Sequence, residues 1–270
     1  VKSLITLGVN VAYSDNGSGP PVLLMHGNPD SRHSWEPLLA SLGEGFRCIA
    51  PDFPGFGDSQ PLPKGQGCDP SFMAKFWGSF VDGLGLAEPP HVVVHDFGGP
   101  WLLPWVVTSP TSVRSLFVLN TFFHCDFPWH PWARLWQTPI LGELSLLLPT
   151  RMVLRREMRL HAPRVSRELV DATYARMHFT MRRTVLRVYR EFSRPDLAFE
   201  SWESRLVEAA KTLPVCVLWG DRDPYIPSGY AQRFGVQPTH VSDCGHWLHL
   251  EDPALVARHL RDFLSSQATG

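Results

Sequence analysis

Short apolar runs recur along this chain, at Val22–Met25, Phe46–Ala50, His91–His95, Ser115–Leu119, Val215–Trp219 and Thr239–Val241, each bounded by Gly, Pro, Asp or Asn. Helix-like patterns separate them. Runs this short, nearly continuous in Val, Ile, Leu and Phe, are what strands buried on both faces require, and their alternation with helices predicts an α/β fold with a mainly parallel sheet. Ligands of such sheets bind beyond the carboxyl ends of the strands, so the residues just after each run are the ones to read first.

Those positions are unusually polar. Met25 is followed by His26-Gly27-Asn28-Pro29, Ala50 by "PDFPGFGDS", His95 by Asp96, Leu119 by Asn120-Thr121, Trp219 by "GDRDPYIP", and the last run by "DCGHWLHLEDP". Asp96 is the most constraining of them. A carboxylate at the end of a buried strand is costly unless it is partnered or held to react. Gly98 and Gly99 follow it and permit close backbone approach where the strand turns into a helix. This is the pattern of a nucleophile elbow, with Asp at the nucleophile position and Val94, not Gly, two residues before it. Asp223 and His246 follow in the order nucleophile, acid, base, so His246 is expected to act as base with Asp223 fixing its tautomer. Asp221 and Asp126 are weaker candidates for the acid.

The stretches "LLMHGNP", "PDFPGFGDS", "VVHDFGG", "WGDRDP" and "GHWLHLEDP" occur in the order of a known family. Through them the chain resembles α/β-hydrolase-fold enzymes with an aspartate nucleophile, and most of all the haloalkane dehalogenases. The resemblance implies a helical cap inserted in the core, here placed at 122–200 between core segments 1–121 and 201–270. It also implies an alkyl ester on Asp96, later hydrolysed by water that His246 activates. The backbone N–H groups of Asn28 and Phe97 are then the oxyanion donors, a well-placed one contributing ~3 kcal/mol.

In that family a halide is held by two side-chain donors, the Asn of "HGNP", matched by Asn28, and a Trp after the nucleophile. Phe97 stands in the second place and has no donor. Cap tryptophans Trp132 and Trp136 are the candidate substitutes, with core packing as their ordinary role. Two other reactions fit a carboxylate nucleophile. β-Lactone opening needs no halide cradle, and epoxide hydrolysis needs acids that in that family are two cap tyrosines, here Tyr174 and Tyr189. A luciferase-like or binding member of the fold is the non-hydrolytic alternative. His26 and His95 are expected to hold loops through hydrogen bonds, His249, at the start of a helix, to be structural, and Trp35 to pack.

The remaining features bound the partners. A hydrophobic fraction of 44% and a formal net charge of -1 give no global reason to expect nucleic acid. No apolar run is long enough for a membrane span. The alternating start "VKSLITLGVNVAYSDNG" reads as two strands and a turn, not a signal peptide, although without an initiator Met an upstream segment is conceivable. Five cysteines show no metal spacing and no even disulfide set, which favours a reducing, cytoplasmic setting. Neither cofactor nor metal is expected; the substrate is expected to be a small or medium apolar organic molecule. Between Arg151 and Arg194 stand 12 Arg against 4 acids, read as solvated helix faces or, alternatively, as a steering field for an anion.

Overall fold

The computed structural model describes residues 1–147 and 150–267. Eight strands form one sheet: β1 Lys2–Thr6, β2 Val9–Asn16, β3 Pro21–Met25, β4 Arg47–Pro51, β5 His91–Asp96, β6 Ser115–Thr121, β7 Val215–Gly220 and β8 Thr239–Val241. Their spatial order is β1-β2-β4-β3-β5-β6-β7-β8. The first hairpin joins antiparallel, and β4 to β8 with β3 are parallel. The expected runs match β3 to β8 to within two residues at each end. The N-terminal pair forms as read.

Period-two alternation explains why both faces of the sheet are dry. Val22, Leu24, Val93, Phe117, Leu119 and Leu218 face one apolar layer, covered by helices α1 (Glu36–Leu42) and, near the C-terminus, Pro253–Ser266. Leu23, Met25, Val92, Val94, Leu116, Val118 and Val217 face the other, covered by α2 (Pro70–Gly83) and α3 (Gly98–Thr108). Cys216 is only half-buried, not enclosed as its strand position implied, and all five cysteines are free.

Between β6 and β7 the alternation of strands with helices stops. Helices α4 Pro131–Gln137, α5 Leu141–Ser145, α6 Thr150–His161, α7 Arg167–Arg176, α8 Phe179–Glu191, α9 Pro195–Phe199 and α10 Trp202–Ala209 fill the interval; α11 Leu248–Glu251 and α12 Pro253–Ser266 close the chain. Much of the arginine charge there is spent locally. Arg151 and Arg155 both fork onto Asp171, Arg190 onto Glu143, and Arg194 onto Asp196. Arg187 instead donates to the carbonyls of Leu62 and Pro63, and His178 bonds the Gly57 carbonyl, tying α8 to the loop after β4.

The junction of β5 and α3 is the tightest place in the fold. A Cβ on Gly98 would overlap the Met25 carbonyl oxygen, and one on Gly99 would overlap the Thr121 hydroxyl. The Gly98 neighbour is backbone and cannot rotate away. Gly98→Ala is therefore expected to lower the unfolding free energy by about 1–3 kcal/mol through forced separation of α3 from β3. Urea denaturation measures this, and an unchanged midpoint and slope would contradict the packing described.

Candidate active site

Asp96 ends β5 with φ +49°, left-handed backbone that a non-Gly residue adopts only when its surroundings impose it. They do so here. The pairing of β5 with β6 slips between His95 and Asp96, and the Thr121 hydroxyl donates to the Asp96 carbonyl. The side chain is buried yet partnered: Oδ2 accepts the Asn28 backbone N–H at 2.7 Å. Burial raises its pKa, opposed by the His246 charge and by the backbone N–H groups of Asn28 and Phe97. Oδ1 lies 3.8 Å from His246 Nε2. One carboxylate oxygen is thus tied down and the other faces the imidazole.

His246 stands in the loop before α11 and is held on two sides. Its Nδ1 donates to Asp223 Oδ2 at 2.7 Å, and its backbone carbonyl accepts from His95 Nε2 at 2.9 Å. Asp223 is itself saturated. Oδ1 accepts the N–H groups of Tyr225 and Ile226 at 2.7 and 3.0 Å, and Oδ2 also accepts Asn120 Nδ2 at 2.9 Å. Asn120 reaches back to Gly220 through both ends of its amide, so β6 locks the turn after β7. Burial alone would make His246 a weak base, but Asp223, then Asp96 and Asp30, outweigh it and push the imidazole up to about 9. The surrounding acids thus favour the imidazolium.

A cavity of about 140 Å³ opens over these groups. Asn28, Asp96 and His246 form its floor; Trp132, Trp136, Leu146, Val153, Leu154 and Val185 form much of its apolar wall. Trp132 and Trp136 therefore line the space, stacked on each other at 6.1 Å, with Trp136 edge-on to Tyr189 at 4.8 Å. Phe97 sits under the cavity against Tyr189 and Trp101 and offers only its backbone N–H.

Two side-chain donors converge on the cavity. Tyr189 is buried, keeps its proton well beyond the usual phenol range because of burial and the nearby Asp96, and accepts Asn28 Nδ2 at 3.3 Å. Its acceptor role is filled and its O–H is left to point elsewhere. His130, which the sequence reading passed over, is the other. Its Nδ1 caps α4 by accepting the Ala133 N–H at 3.3 Å, and burial followed by the His246 charge pushes it down to about 4. A neutral ring whose Nδ1 accepts must carry its proton on Nε2. The dipeptide His130-Pro131 was the available signal, since Pro at the first helical position marks the preceding residue as a cap. Tyr225 and Glu157 also line the cavity, bonded to each other at 3.0 Å, and were not anticipated. Tyr174 is not among the lining residues; its hydroxyl accepts from Arg182 at 3.2 Å.

The other expectations resolve simply. His26 bonds the Gly27 carbonyl and accepts the Phe53 N–H, His95 holds His246, and Trp35 is wholly buried against His249. Asp126 pairs with Arg233, and Asp221 with His240, so neither reaches His246.

Asp223→Asn removes the largest upward influence on His246 while preserving shape. The imidazole midpoint, followed by ¹⁵N NMR, is expected to fall from about 9 by roughly one unit or more. A midpoint that stays in place would mean that Asp223 does not govern this base.

The model of the alpha/beta hydrolase fold family matches residues 20–253. Haloalkane dehalogenase 2 of Mycobacterium tuberculosis is 39% identical over 113 residues, 42% of this chain, and the chain spans only 39% of that relative's length. Epoxide hydrolase 3 of Xenopus tropicalis is 24% identical over 292 aligned positions, covering 95% of this chain and 75% of that protein. The crystal structure of haloalkane dehalogenase DbeA from Bradyrhizobium elkani superposes with a TM-score of 0.82 at 23% identity, covering 99% of this chain and 98% of that one, a likeness of fold. With the family model spanning most of its length, and haloalkane dehalogenases and epoxide hydrolases among its relatives, this chain belongs to the alpha/beta hydrolase fold family.

Proposed function

We propose that the protein is a hydrolase in which Asp96 attacks an sp³ carbon to form an ester, and that the leaving group is best served when it is an epoxide oxygen. The observation that carries this reading is that two residues with a proton to give, Tyr189 through its O–H and His130 through Nε2–H, line the same cavity as Asp96. An opening epoxide develops charge on an oxygen that stays attached to the product and needs a proton, which a phenol supplies and a halide cradle does not.

The steps balance as follows. Asp96 Oδ1 bonds to the ring carbon while the ring C–O bond breaks, and the new alkoxide takes the Tyr189 proton with His130 donating to the same oxygen. Esterification erases the Asp96 charge, one of the influences that keeps His246 protonated, so the imidazolium gives its proton up to solvent and takes one back when the carboxylate is restored. His246 then takes a proton from water as the water oxygen bonds to Asp96 Cγ. The oxyanion forms on Oδ2, which already accepts the Asn28 N–H, and the Phe97 N–H also bonds this carboxyl group. Collapse breaks the Cγ–Oδ1 bond, and Oδ1, now the second hydroxyl oxygen of the product, receives the proton from His246. The carboxylic acid left on Asp96 returns its proton to Tyr189, and a diol departs. The helices within 122–200 act as the cap that closes the apolar cavity over these groups, which suits a small or medium apolar substrate.

Carbon–halogen hydrolysis is the second reading. Trp132 and Trp136 line the cavity as candidate halide donors. Turning the Asn28 amide over would accept the Tyr189 proton on Oδ1, an atom now without a partner, and free Nδ2 for a halide. The two readings diverge in one variant. Tyr189→Phe is expected to lower epoxide turnover about 100-fold or more, whereas bromide release from bromoalkanes would change little. Assay of both substrate classes with native protein and variant decides: bromide release without epoxide opening in the native protein overturns the preference, and a Tyr189→Phe variant fully active on epoxides removes Tyr189 from the mechanism.

A further inference from the structure

Directly behind the cavity floor, Asp30, His95 and His249 form a fully buried cluster whose potential ligand atoms all lie within 4.8 Å of one another. The bonds each residue already makes determine what the cluster lacks. His95 turns its Nε2 to the His246 carbonyl, which can only accept, so Nε2 carries the proton there and Nδ1 is left without a partner. Both nitrogens of His249 are also unpartnered at 0% exposure, and a neutral ring necessarily presents one lone pair. The Asp30 carboxylate takes a single side-chain donor, Trp247 Nε1 at 3.2 Å.

Three electron-pair donors therefore converge where few hydrogen-bond donors reach them. A buried water has two protons and cannot serve all three. A divalent cation can, and two imidazoles with one carboxylate are a ligand set for Zn²⁺ and its transition-metal neighbours. Metal–ligand bonds of ~2.1 Å require separations shorter than the present maximum, so the three side chains would have to draw together on binding. We propose that Asp30, His95 and His249 form a structural site for a divalent transition metal, Zn²⁺ by ligand type.

Position gives the site its purpose. Asp30 follows Asn28 by two residues, His95 immediately precedes Asp96, and His249 follows His246 by three. A metal on these ligands would clamp together the three chain segments that carry the oxyanion donor, the carboxylate and the imidazole. The sequence gives His95 a loop-holding role, His249 a structural one and no expectation of a metal, because ligands spread over three distant segments leave no spacing signature.

The test is metal binding itself, independent of which reaction the cavity performs. Chelator-treated, dialysed protein is titrated with Co²⁺ and with Zn²⁺, followed by visible absorption, calorimetry and thermal unfolding. One equivalent is expected to bind, with the d–d absorption of low-symmetry Co²⁺, no thiolate charge-transfer band, and a higher unfolding temperature. His249→Gln and Asp30→Asn, each checked for a native far-UV spectrum, are each expected to lose that equivalent and the thermal gain. Failure of the native protein to bind one equivalent, a thiolate band marking cysteine ligation, or undiminished binding in both variants overturns the proposal. If only one of the two variants folds, that variant decides by the same criterion.

Discussion

The whole site depends on a single bend. β5 must end, reverse its backbone into left-handed space at Asp96 and begin α3 within two residues, and it can do so only because the neighbouring chains leave room for no other path. Gly98 and Gly99 let α3 touch β3 and β6, Thr121 grips the Asp96 carbonyl, and the Asn28 amide meets the carboxylate. Backbone strain of this kind costs of order 1–3 kcal/mol. It persists because the sheet beneath it is buried on both faces. What the strain provides is direction: a carboxylate raised above the strand ends with one oxygen bound and one free.

Electrostatics then assigns the roles. Asp223 receives four donors on two oxygens and orients His246; Asp96 receives backbone donors and faces the same imidazole across 3.8 Å. The two acids are therefore not equivalent. One has no coordination left for chemistry, and the other has an oxygen to spare. In the mechanism proposed above, an ester on Asp96 would remove one of the charges that hold the proton on His246, so the charge balance of the resting site suits that order of events.

The parts of this arrangement that were readable in the sequence are those whose signal is local. Asp96, Asp223 and His246 each follow a short apolar run, and the order of the runs places them above one sheet edge. His130 and Tyr225 carried no comparable mark. His130 gains meaning only when Nδ1 is seen to cap α4, and Tyr225 only when the turn after β7 swings it beside His246 and Glu157. Tyr174 and Tyr189 looked alike as cap tyrosines, yet tertiary packing turns Tyr189 onto Asn28 and Tyr174 onto Arg182. Phe97 was legible as a departure but not in its consequence: with no indole directly after Asp96, the polar side chains over the cavity come both from the segment between β6 and β7, as His130 and Tyr189, and from outside it, as Asn28 and Tyr225.

The central claim is that an oxygen of Asp96, and not one of water, first bonds to the substrate carbon. Turnover in H₂¹⁸O tests it most directly, with an epoxide as the substrate and mass spectrometry of both product and the Asp96 peptide. During a single turnover with enzyme in excess, the account predicts a diol free of ¹⁸O and an Asp96 peptide that gains the label. A diol carrying ¹⁸O from that first turnover, with the peptide unlabelled, would mean that water attacks directly and that the carboxylate is not the nucleophile.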